Sequence, residues 1–527
     1  MAIENFKRRY SDTFESTLNV GQLSSQGNLT NEEIVHLNKI KEAWNFYEGY
    51  HWEGIDDLDS AQVTFNYCRA FVNKFVSFEL GSGFSITNLV ELEDKGVTLG
   101  DTKLVIEEGK ENPVEKRKTV NDFLNEVWDD NNKETLCIEL GQTKSITGEC
   151  WIKIQYESQE DLNDVFDEYP NGRIRVSVVP TQFVFPKFND HDKDKLESLL
   201  IMYPIRSVRD TGLMFKRATE QTIIYKECWT KDEIIVYEDG TEIDRMNNPY
   251  GFIPFVQIKN FPIAGRTRGV SDLEDLIPLN VELNTKRSDV SEVIDYHSAP
   301  ITLVYGAKIG NLEKGANKVW GGLPKDSRVE NLSLQGDLTA SVNYTQNLKT
   351  TMCEIVGIPE NALGGAMGIS NTSGVALQYV NMPLIERTKI KKSCTINGLQ
   401  KVNKIIIYLG LYHNFIEKPE EVSMKDFIYN EVNILDTLPK DELMELQKIQ
   451  QEMSLGLLCR HEAMERLGKD NINKKLEEID FERREHPDLY GGVKPTNTNA
   501  GGMMNGDTPI EQVRKEMTGQ NGGANIS

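Results

Sequence analysis

The chain has 527 residues, of which 39% are hydrophobic and 8% aromatic, and it carries a formal net charge of −23. This length allows more than one packed domain, because a single core rarely grows beyond about 250–300 residues. The acidic balance argues against a protein that coats nucleic acid, since that task needs clustered Lys and Arg. No apolar run reaches the roughly 18 residues that a membrane span requires.

The start of the chain, MAIENFKRRYSDTFES, has basic residues but no apolar run after them, which predicts neither a secretory signal nor an anchor. The seven cysteines are scattered and include no C-x-x-C pair. We therefore expect a protein that folds in a cytoplasm with reduced thiols in its interior, without a disulfide or a zinc site.

The first folded elements are predicted to be helices. Residues 1–28 are polar and rich in Ser and Gly, which is typical of an arm outside the core. In NEEIVHLNKIKEAWNFYEGYHW the apolar residues recur at helical spacing, and a second amphipathic helix, NYCRAFVNKFVSFELG, ends at Gly81.

From about residue 85 to residue 260 the pattern changes to strands. The segments ECWIKIQYE, RIRVSVVP, LESLLIMYPI and QTIIYKECW alternate in polarity or are rich in β-branched and aromatic residues, and turns of Gly, Asn and Asp separate them. This region is predicted to form a β-rich subdomain.

A helix is predicted next, over residues 271–298. Ser271 and Glu274 have the spacing of a capping box, in which a hydroxyl and a carboxylate each satisfy a free backbone amide, and Pro300 ends the helix. Pro278 lies inside this range, so it either kinks the helix or moves its start to residue 278.

Residues 301–336 indicate short strands and tight turns, and a helix is predicted from Asp337 to Val356. The stretch that follows, GIPENALGGAMGISNTSGVALQYV (357–380), is rich in glycine, and its only charged residue is Glu360. Such a composition is typical of a loop with a large conformational freedom.

Helical patterns complete the chain. Ser373 is predicted to cap a very long helix that reaches about Tyr412, with bends at Pro383 and Gly398. Residues 435–487 then indicate a helix, a turn and two further helices. Beyond residue 487 the chain is too poor in bulky apolar residues to fold, which predicts a disordered tail.

Motifs for enzymatic chemistry are incomplete in this sequence. GNLEKGAN (310–317) has the glycine spacing of a P-loop, but Ala316 stands where the phosphate-binding lysine is required. HEAME (461–465) resembles a zinc-protease motif, yet Glu465 replaces the second histidine. The glycine-rich stretch has no lysine and follows no strand. We therefore expect no enzyme, no catalytic residue, no cofactor and no metal.

A run of cations stands out against the acidic background. No Asp or Glu occurs from residue 387 to residue 416, which indicates a solvated helix face, a contact with an acidic neighbouring subunit, or a surface for transient contacts with nucleic-acid phosphates. The cations are Arg387, Lys389, Lys391, Lys392, Lys401 and Lys404.

Taken together, these segments resemble the portal proteins of tailed bacteriophages, the family of head-to-tail connectors. The most specific segment is GVSDLEDLIPLNVELNTKRSDVSEVIDYHSAP, which is similar to the family's pattern of G-x-S-D-x-E, then L-N, then S-D, then Pro. GIPENALGG with SGVALQY resembles the family's glycine-rich loop signature, and SLGLLCRHEAMERLGKDNINKKLEEIDFERRE resembles its C-terminal helices. With WNFYEGYHW near the N-terminus, the similarity spans roughly residues 30–487.

The resemblance implies an α+β, portal-like and ring-forming fold that is mostly helical in its wing, stem and crown, with a β-rich wing subdomain and a small α/β clip. By position, the regions are an N-terminal arm (1–28), the wing (29–270), a stem helix (271–298), the clip (299–336), a second stem helix (337–357), a channel or tunnel loop (358–372), a long wing helix with its connector (373–434), the crown (435–487) and a disordered tail (488–527).

The implied function is that of a ring, dodecameric in this family, at one capsid vertex, through which double-stranded DNA is packaged and ejected. The implied partners are other copies of the chain, the DNA, the terminase large subunit, the major capsid and scaffolding proteins, and head-completion or adaptor proteins, with no membrane. The implied locations are the portal vertex of the virion and, during assembly, the host cytoplasm.

Two sets of site residues follow from the resemblance. The channel loop would include Asn361, Gly364, Gly365, Met367, Ser370 and Asn371. The clip would contact the terminase or an adaptor through Lys308, Lys314, Lys318, Trp320, Lys325 and Arg328.

Two other hypotheses stay open on the sequence. A monomeric or small-oligomer minor capsid or adaptor protein would have no need of long stem helices. An ATP-driven packaging enzyme would need the P-loop that the sequence does not contain.

Overall fold

The computed structural model describes residues 29–52, 61–88, 90, 92, 118–162, 169–209, 219–298, 302–305, 326–331, 338–364, 379–434, 442–467 and 472–485. The chain divides into two compact units, residues 1–439 and residues 440–527. The predicted N-terminal arm (1–28) and tail (488–527) lie outside the described residues.

Helices lie on both sides of the strand-rich middle of the first unit and are the only regular elements in the described part of the second. They are α1 (Asn31–Glu48), α2 (Tyr67–Leu80), α3 (Val120–Asp130), α4 (Lys133–Thr147), α5 (Gln159–Leu162), α6 (Leu276–Ser298), α7 (Leu338–Val356), α8 (Met382–Tyr412), α9 (Met424–Phe427), α10 (Glu442–Ser454), α11 (Arg460–Arg466) and α12 (Ile472–Glu485).

Strands occupy the middle of the first unit and pair antiparallel throughout. They are β1 (Phe84–Thr87), β2 (Glu149–Glu157), β3 (Arg173–Val179), β4 (Val184–Phe188), β5 (Leu196–Arg209), β6 (Thr219–Thr230), β7 (Glu233–Glu238), β8 (Thr241–Asn247), β9 (Phe255–Lys259), β10 (Thr302–Tyr305), β11 (Arg328–Asn331) and β12 (Glu431–Ile434). The sheet orders are β1-β12, β10-β11, β3-β2-β9 and β4-β5-β6-β7-β8. This mixture confirms the predicted α+β class.

Local sequence signals explain where the first two helices begin and end. Thr30 and Glu33 form a capping box at the start of α1, because the hydroxyl accepts from the Glu33 amide and the carboxylate accepts from the Thr30 amide. Asn66 caps α2 through the Arg69 amide, and Gly81 follows the last residue of α2. Both helices lie where the apolar spacing predicts them.

The first core of the unit lies between the three-stranded sheet and helices α3, α4 and α8. Gly398 allows α8 to approach strand β9 closely, because a Cβ there would lie 2.4 Å from the Ile258 side chain. The role of Gly398 is therefore this close approach. Pro383, predicted to bend the helix, lies in its first turn, where the missing amide leaves no internal hydrogen bond unmade.

The five-stranded sheet forms a separate core around side chains such as Trp151 and Tyr203. Its outer strand β8 is exposed at every residue. A bulge opposite Val236 and Tyr237 interrupts its pairing with β7, and Arg245 forms ion pairs on the outer strand. Bulges and charged residues are common protections of an open sheet edge.

The predicted capping box at Ser271 and Glu274 is wrong. Ser271 Oγ accepts from the Leu273 amide at 3.0 Å but donates to the Ile146 carbonyl oxygen at 2.6 Å. The Glu274 carboxylate pairs with Lys39 at 2.6 Å and does not return to the residue 271 backbone. A packing contact with α4 thus replaces the local cap that the sequence suggested.

Helix α6 begins at Leu276 instead of residue 271. Pro278 consequently lies in its first turn, where backbone amides have no partner within the helix. A proline is tolerated there, so neither a kink nor a start at residue 278 is required.

The second unit contains α10, α11 and α12, which matches the predicted order of a helix, a turn and two further helices. Its small core contains Ile449, Leu458 and Ala463. Arg466 Nη1 donates to Glu452 Oε2 at 2.7 Å, which links α11 to α10.

All seven cysteines are free. Cys68, Cys137, Cys150 and Cys353 are buried, as expected of reduced thiols in an interior, whereas Cys459 is exposed. Burial raises the pKa of the Cys68 thiol to about 12, so this side chain stays protonated at neutral pH.

Candidate functional site

Helices α6 and α7, with strands β10 and β11 beyond them, form one helical hairpin. At 23 and 19 residues, the two helices are about 34 Å and 28 Å long. Leu276 and Leu283 at the start of α6 share a cluster with Met352 and Val356 at the end of α7, so the helices run in opposite directions. Strands β10 and β11 pair antiparallel after α6 and before α7.

Burial divides the hairpin into two halves. The base, which contains the start of α6 and the end of α7, packs in one apolar cluster with α1 and α2. The far half is mostly exposed and carries several large apolar side chains that are at least one third exposed. These side chains are Val293, Ile294, Val342 and Tyr344 on the helices and Tyr305 and Val329 on the strands.

An extended segment, residues 61–65, runs along α6 and is called the strap here. The amides of alternate strap residues donate to side chains that follow one another at four-residue intervals along α6. Two extended residues advance about 6.6 Å and four helical residues about 6.0 Å, so the two repeats match. The bonds are Phe65 N to Asn284 Oδ1 (2.9 Å), Val63 N to Ser288 Oγ (3.0 Å) and Ala61 N to Glu292 Oε1 (3.0 Å).

Buried His51 completes this contact. Its Nε2 lies 2.9 Å from the Phe46 carbonyl oxygen, so Nε2 carries the proton and Nδ1 accepts. The amides of Asn280 and Asn284 both donate to Nδ1, at 3.2 Å and 2.6 Å. Burial lowers the pKa of His51, which keeps the ring neutral and leaves the Nδ1 lone pair available as an acceptor.

Buried charges join the hairpin base to the rest of the unit. Five residues form this ionic cluster: Glu79, Lys144, Asp272, Arg387 and Lys391. Asp272, four residues before the start of α6, accepts from Lys391 Nζ at 2.6 Å and from Arg387 Nη2 at 3.2 Å. Glu79 on α2 pairs with Lys144 on α4. The ionic cluster therefore joins α2, α4, α8 and the turn that precedes α6.

Neutral groups form hydrogen bonds with Asp272, Glu79 and Lys144, although Glu79 Oε2 has no hydrogen-bond partner among the described residues. Ser145 Oγ and Asn260 Nδ2 donate to Asp272 Oδ2 at 2.5 Å and 3.1 Å. Thr395 Oγ1 lies 2.7 Å from Glu79 Oε1 and accepts from Lys144 Nζ at 2.5 Å. A buried ion pair is stable only when such hydrogen bonds accompany it.

The charges in the cluster shift one another's protonation. Burial raises the pKa of the Asp272 carboxyl, but the nearby Lys391 and Arg387 outweigh it and hold that pKa below its usual range. Burial lowers the pKa of the Lys144 ammonium, and Glu79 opposes that change. Glu79, Asp272, Lys144 and Lys391 together carry no net charge when all are ionised.

Helix α7 ends in a Schellman motif at the predicted glycine-rich stretch. Gly357 has a φ of 69°, which favours glycine. The Ile358 amide donates to the Cys353 carbonyl oxygen at 3.0 Å and the Gly357 amide to that of Glu354 at 3.2 Å. Ile358 is fully buried against the hairpin base, so the position where the helix stops is fixed.

Glu360 holds the first turn of the stretch against α7. Its carboxylate accepts from Thr350 Oγ1 at 3.1 Å and lies 3.6 Å from Lys349 Nζ. A short 3-10 helix, Glu360–Leu363, follows. Of the predicted channel-loop residues, Asn361 lies in this 3-10 helix and Gly364 ends it with a φ of 90°. The others lie outside the described residues: Gly365, Met367, Ser370 and Asn371. The predicted helix cap, Ser373, lies outside them as well.

The six predicted cations do not form one face of α8. Their positions along a helix of 3.6 residues per turn point in several directions. Lys391 is only 1% exposed and Arg387 is partly buried, because both belong to the ionic cluster. The prediction of an exposed cationic site is therefore wrong for Lys391. Lys389, Lys401 and Lys404 are exposed and Lys392 is half-buried.

The predicted clip residues are mostly outside the described part of the chain. Arg328 is described, lies in β11, and pairs with Glu330 at 3.2 Å on an exposed surface. Lys308, Lys314, Lys318, Trp320 and Lys325 lie outside the described residues.

Sequence reasoning did not find Glu79, Lys144 or Asp272. A signal for Glu79 exists, because it continues the spacing of buried Val72 and Phe75 on the apolar face of α2. A charge at such a position must have a buried partner. Lys391 likewise falls on the buried face of α8.

Within the described ranges, no group of three or more His, Cys, Asp and Glu side chains is placed to hold a metal ion. None of the helices that the structure describes is long and apolar enough to span a membrane.

The fold and site define an α+β protein organised around a helical hairpin that buried charges and a strap anchor at its base. A family model described as phage portal protein, SPP1 Gp6-like, matches residues 26–487, so the chain belongs to the phage portal proteins. A comparison with curated proteins finds no significant match. Membership makes this a bacteriophage structural protein of a non-enzymatic family, and it implies an oligomeric, capsid-associated assembly at the portal vertex.

Proposed function

We propose that this chain assembles into a closed ring through which double-stranded DNA enters the capsid and later leaves it. The resemblance to the portal family implies that the ring has twelve subunits. The observation that carries the proposal is the far half of the hairpin, which exposes apolar side chains on both helices. Exposed apolar patches of this kind mark protein interaction sites. In a ring, each hairpin would cover the next one.

The regions of the chain take their roles from this arrangement. The hairpin helices are the stem, the segment around β10 and β11 is the clip, and the glycine-rich stretch 358–372 faces the channel. The clip would receive the terminase large subunit and later the head-completion or adaptor proteins. The wing, with its sheets, and the crown, with α10 to α12, would contact capsid and scaffolding proteins.

Placing a negative charge on the hairpin tests the ring. Ile294→Glu and Val342→Glu each place a carboxylate on the exposed apolar surface, so they should prevent ring formation while the monomer stays folded. Ile243→Glu is the matched control, because Ile243 is equally apolar and exposed but lies on β8. Native mass spectrometry measures the outcome. Rings that form equally well with all three variants would contradict the assignment of the hairpin as the subunit contact.

Deletion of residues 361–371 tests the channel role of the glycine-rich stretch. Residues 361–371 follow the Schellman motif and Glu360, so their loss should leave ring assembly intact but reduce the amount of packaged or retained DNA. Rings that fail to assemble after this deletion would identify the stretch as a structural contact.

The same mass spectra separate the proposal from its alternative. A minor capsid or adaptor protein would remain a monomer or a small oligomer at all salt concentrations. A portal ring would give one closed species of high mass.

A further inference from the structure

Two buried asparagines hold the strap and His51 at the same time, and the backbone of Phe65 fixes how each amide group is turned. The Phe65 amide can only donate, so the Asn284 atom 2.9 Å away is the oxygen. The Phe65 carbonyl oxygen can only accept, so the Asn280 atom 3.1 Å away is the nitrogen. In these orientations both asparagines present Nδ2 to His51 Nδ1, at 3.2 Å for Asn280 and 2.6 Å for Asn284.

A proton on His51 Nδ1 would therefore face two donors. The ring itself is held, because Nε2 bonds to the Phe46 carbonyl oxygen and the Phe46 ring stacks on the imidazole with 4.5 Å between centroids. An asparagine can offer its oxygen to Nδ1 only by turning its amide group. Turning Asn284 breaks its bond with the Phe65 amide, and turning Asn280 breaks its bond with the Phe65 carbonyl oxygen. Each way of accepting the proton thus costs the strap a bond.

One oxygen in this site is unused. Asn280 Oδ1 is buried and has no hydrogen-bond partner among the described residues. A buried acceptor without a donor destabilises the folded state, so it calls for a reason other than stability. The same oxygen would accept from a protonated His51 after the amide group turns. Neutral and protonated His51 consequently favour opposite orientations of Asn280.

The ends of the loop that carries the strap are joined to each other. Asn66 Nδ2 and Arg69 Nε both donate to the Tyr47 carbonyl oxygen, each at 2.9 Å. The strap can therefore leave α6 while α1 and α2 keep their places.

The charged groups around the loop have other partners than His51. Arg69 pairs with Glu48 at 3.2 Å, Arg287 lies 5.6 Å from the ring centre of Phe65, and Glu292 accepts from the first strap amide. The pKa of His51 is lowered by burial, which outweighs the opposing hydrogen bond with the Phe46 carbonyl oxygen. Proton uptake at His51 is therefore governed by the contact with α6 and the strap.

We propose that the strap is a pH-sensitive attachment to α6, which opens when His51 takes up a proton at Nδ1. Opening breaks the bonds of Phe65 first, and the bonds of Val63 to Ser288 and of Ala61 to Glu292 follow. It uncovers the side of α6 that carries Ser288 and Glu292. The proposal concerns a contact within one chain, so it does not depend on the ring.

Hydrogen exchange on the full chain, at about pH 7.5 and about pH 5.5, tests this attachment. The pKa of His51 lies below 6.5 while the strap is bound and returns to about 6.5 when the strap is released. Because the released state then binds the proton more tightly, the lower pH should increase strap opening by about threefold to tenfold. After correction for intrinsic rates, the amides of Ala61, Val63 and Phe65 should show this increase, and the amides of β5 and β6 should not.

Three variants separate the histidine from the strap bonds. His51→Gln has no titrating ring, so strap exchange should be the same at both pH values. Ser288→Ala removes the acceptor of the Val63 amide, so exchange should be faster at both pH values with an unchanged ratio between them. His191→Gln is the matched control, because His191 is an exposed histidine between β4 and β5, and it should keep the pH effect of the unaltered chain.

Strap exchange that is equal at both pH values in the unaltered chain would overturn the proposal. A His51→Gln variant that keeps the full pH effect would overturn it as well, and so would an equal effect in β5 and β6, since the whole unit would then be opening. A chain that forms no ring would contradict the proposed function but would leave this result unaffected.

Discussion

Replacing Lys391 with methionine removes one ammonium from the ionic cluster at the hairpin base. Lys391 is 1% exposed and its Nζ lies 2.6 Å from Asp272 Oδ2. The change leaves the Asp272 carboxylate buried with only Arg387 as a cationic partner. Breaking a buried pair from one side typically costs about 3–5 kcal/mol, and we expect a loss of this size in the free energy of unfolding.

The double variant Asp272→Asn with Lys391→Met tests whether the loss comes from the pair. It removes both charges, and the Glu79–Lys144 pair stays neutral overall. The double variant should therefore lose less than the sum of the two single variants, by about 1–3 kcal/mol. Chemical denaturation followed by tryptophan fluorescence measures this, because Trp128 and Trp151 are buried in the same unit.

Lys389→Met is the matched control, since Lys389 lies two residues away on the same helix and is exposed. We expect it to change the free energy of unfolding by less than about 0.5 kcal/mol. If Lys391→Met were as mild as this control, or if the losses simply added in the double variant, the buried cluster would not anchor the hairpin. Because Lys391 is buried in the ionic cluster, a Lys391→Glu substitution would disturb folding. Contacts with DNA phosphates are therefore better tested at the exposed Lys389, Lys401 and Lys404.

Three further predictions concern the strap, the α8 contact and acid stability. Asn284→Ala should speed hydrogen exchange at the Phe65 amide and lower the free energy of unfolding by about 1–3 kcal/mol, because that amide loses its acceptor. Unchanged exchange would show that the strap is not bonded to α6 at this position. Gly398→Ala should lower the unfolding midpoint although alanine favours helices, since the new Cβ would overlap Ile258 at a cost of about 1–3 kcal/mol; a raised midpoint would contradict the close approach. Burial raises the pKa of the Glu157 carboxyl, but hydrogen bonds from two arginines outweigh burial and leave the pKa below its usual value of 4.5. The ionised carboxylate therefore contributes fully to stability above pH 4.5, and this contribution is lost as the pH falls through the pKa of Glu157 in the folded protein. Glu157→Gln should therefore flatten the acid side of the stability profile, and an unchanged slope would show that Glu157 does not supply it.

Elements with strong local signals could be predicted from the sequence. The capped helix α1, the glycine end of α2 and strand β2 lie where their patterns place them, because short-range spacing and caps decide them. Helix α3 has a clear helical spacing of buried residues, yet it lies in the region, residues 85–260, that the sequence predicts as strands. Helix α4 is buried on nearly every side at its end, so it lacks the polar face that reveals a helix.

Long-range contacts explain what the sequence could not predict. Strand β12 is four residues long and forms only by pairing with β1, far away in the chain. The Ser271 hydroxyl meets a carbonyl of α4 that no local pattern places beside it. The ionic cluster and the strap likewise join residues from distant parts of the chain, so their chemistry becomes visible only when the fold brings them together.

This portal family member is proposed to work as a closed ring, which electron-microscopy class averages of the purified full chain can test. The proposal predicts closed rings with a central opening, formed by the unaltered chain and by Ile243→Glu but lost in Ile294→Glu. A chain that stays monomeric at micromolar concentration, with no ring at any salt concentration, would contradict it.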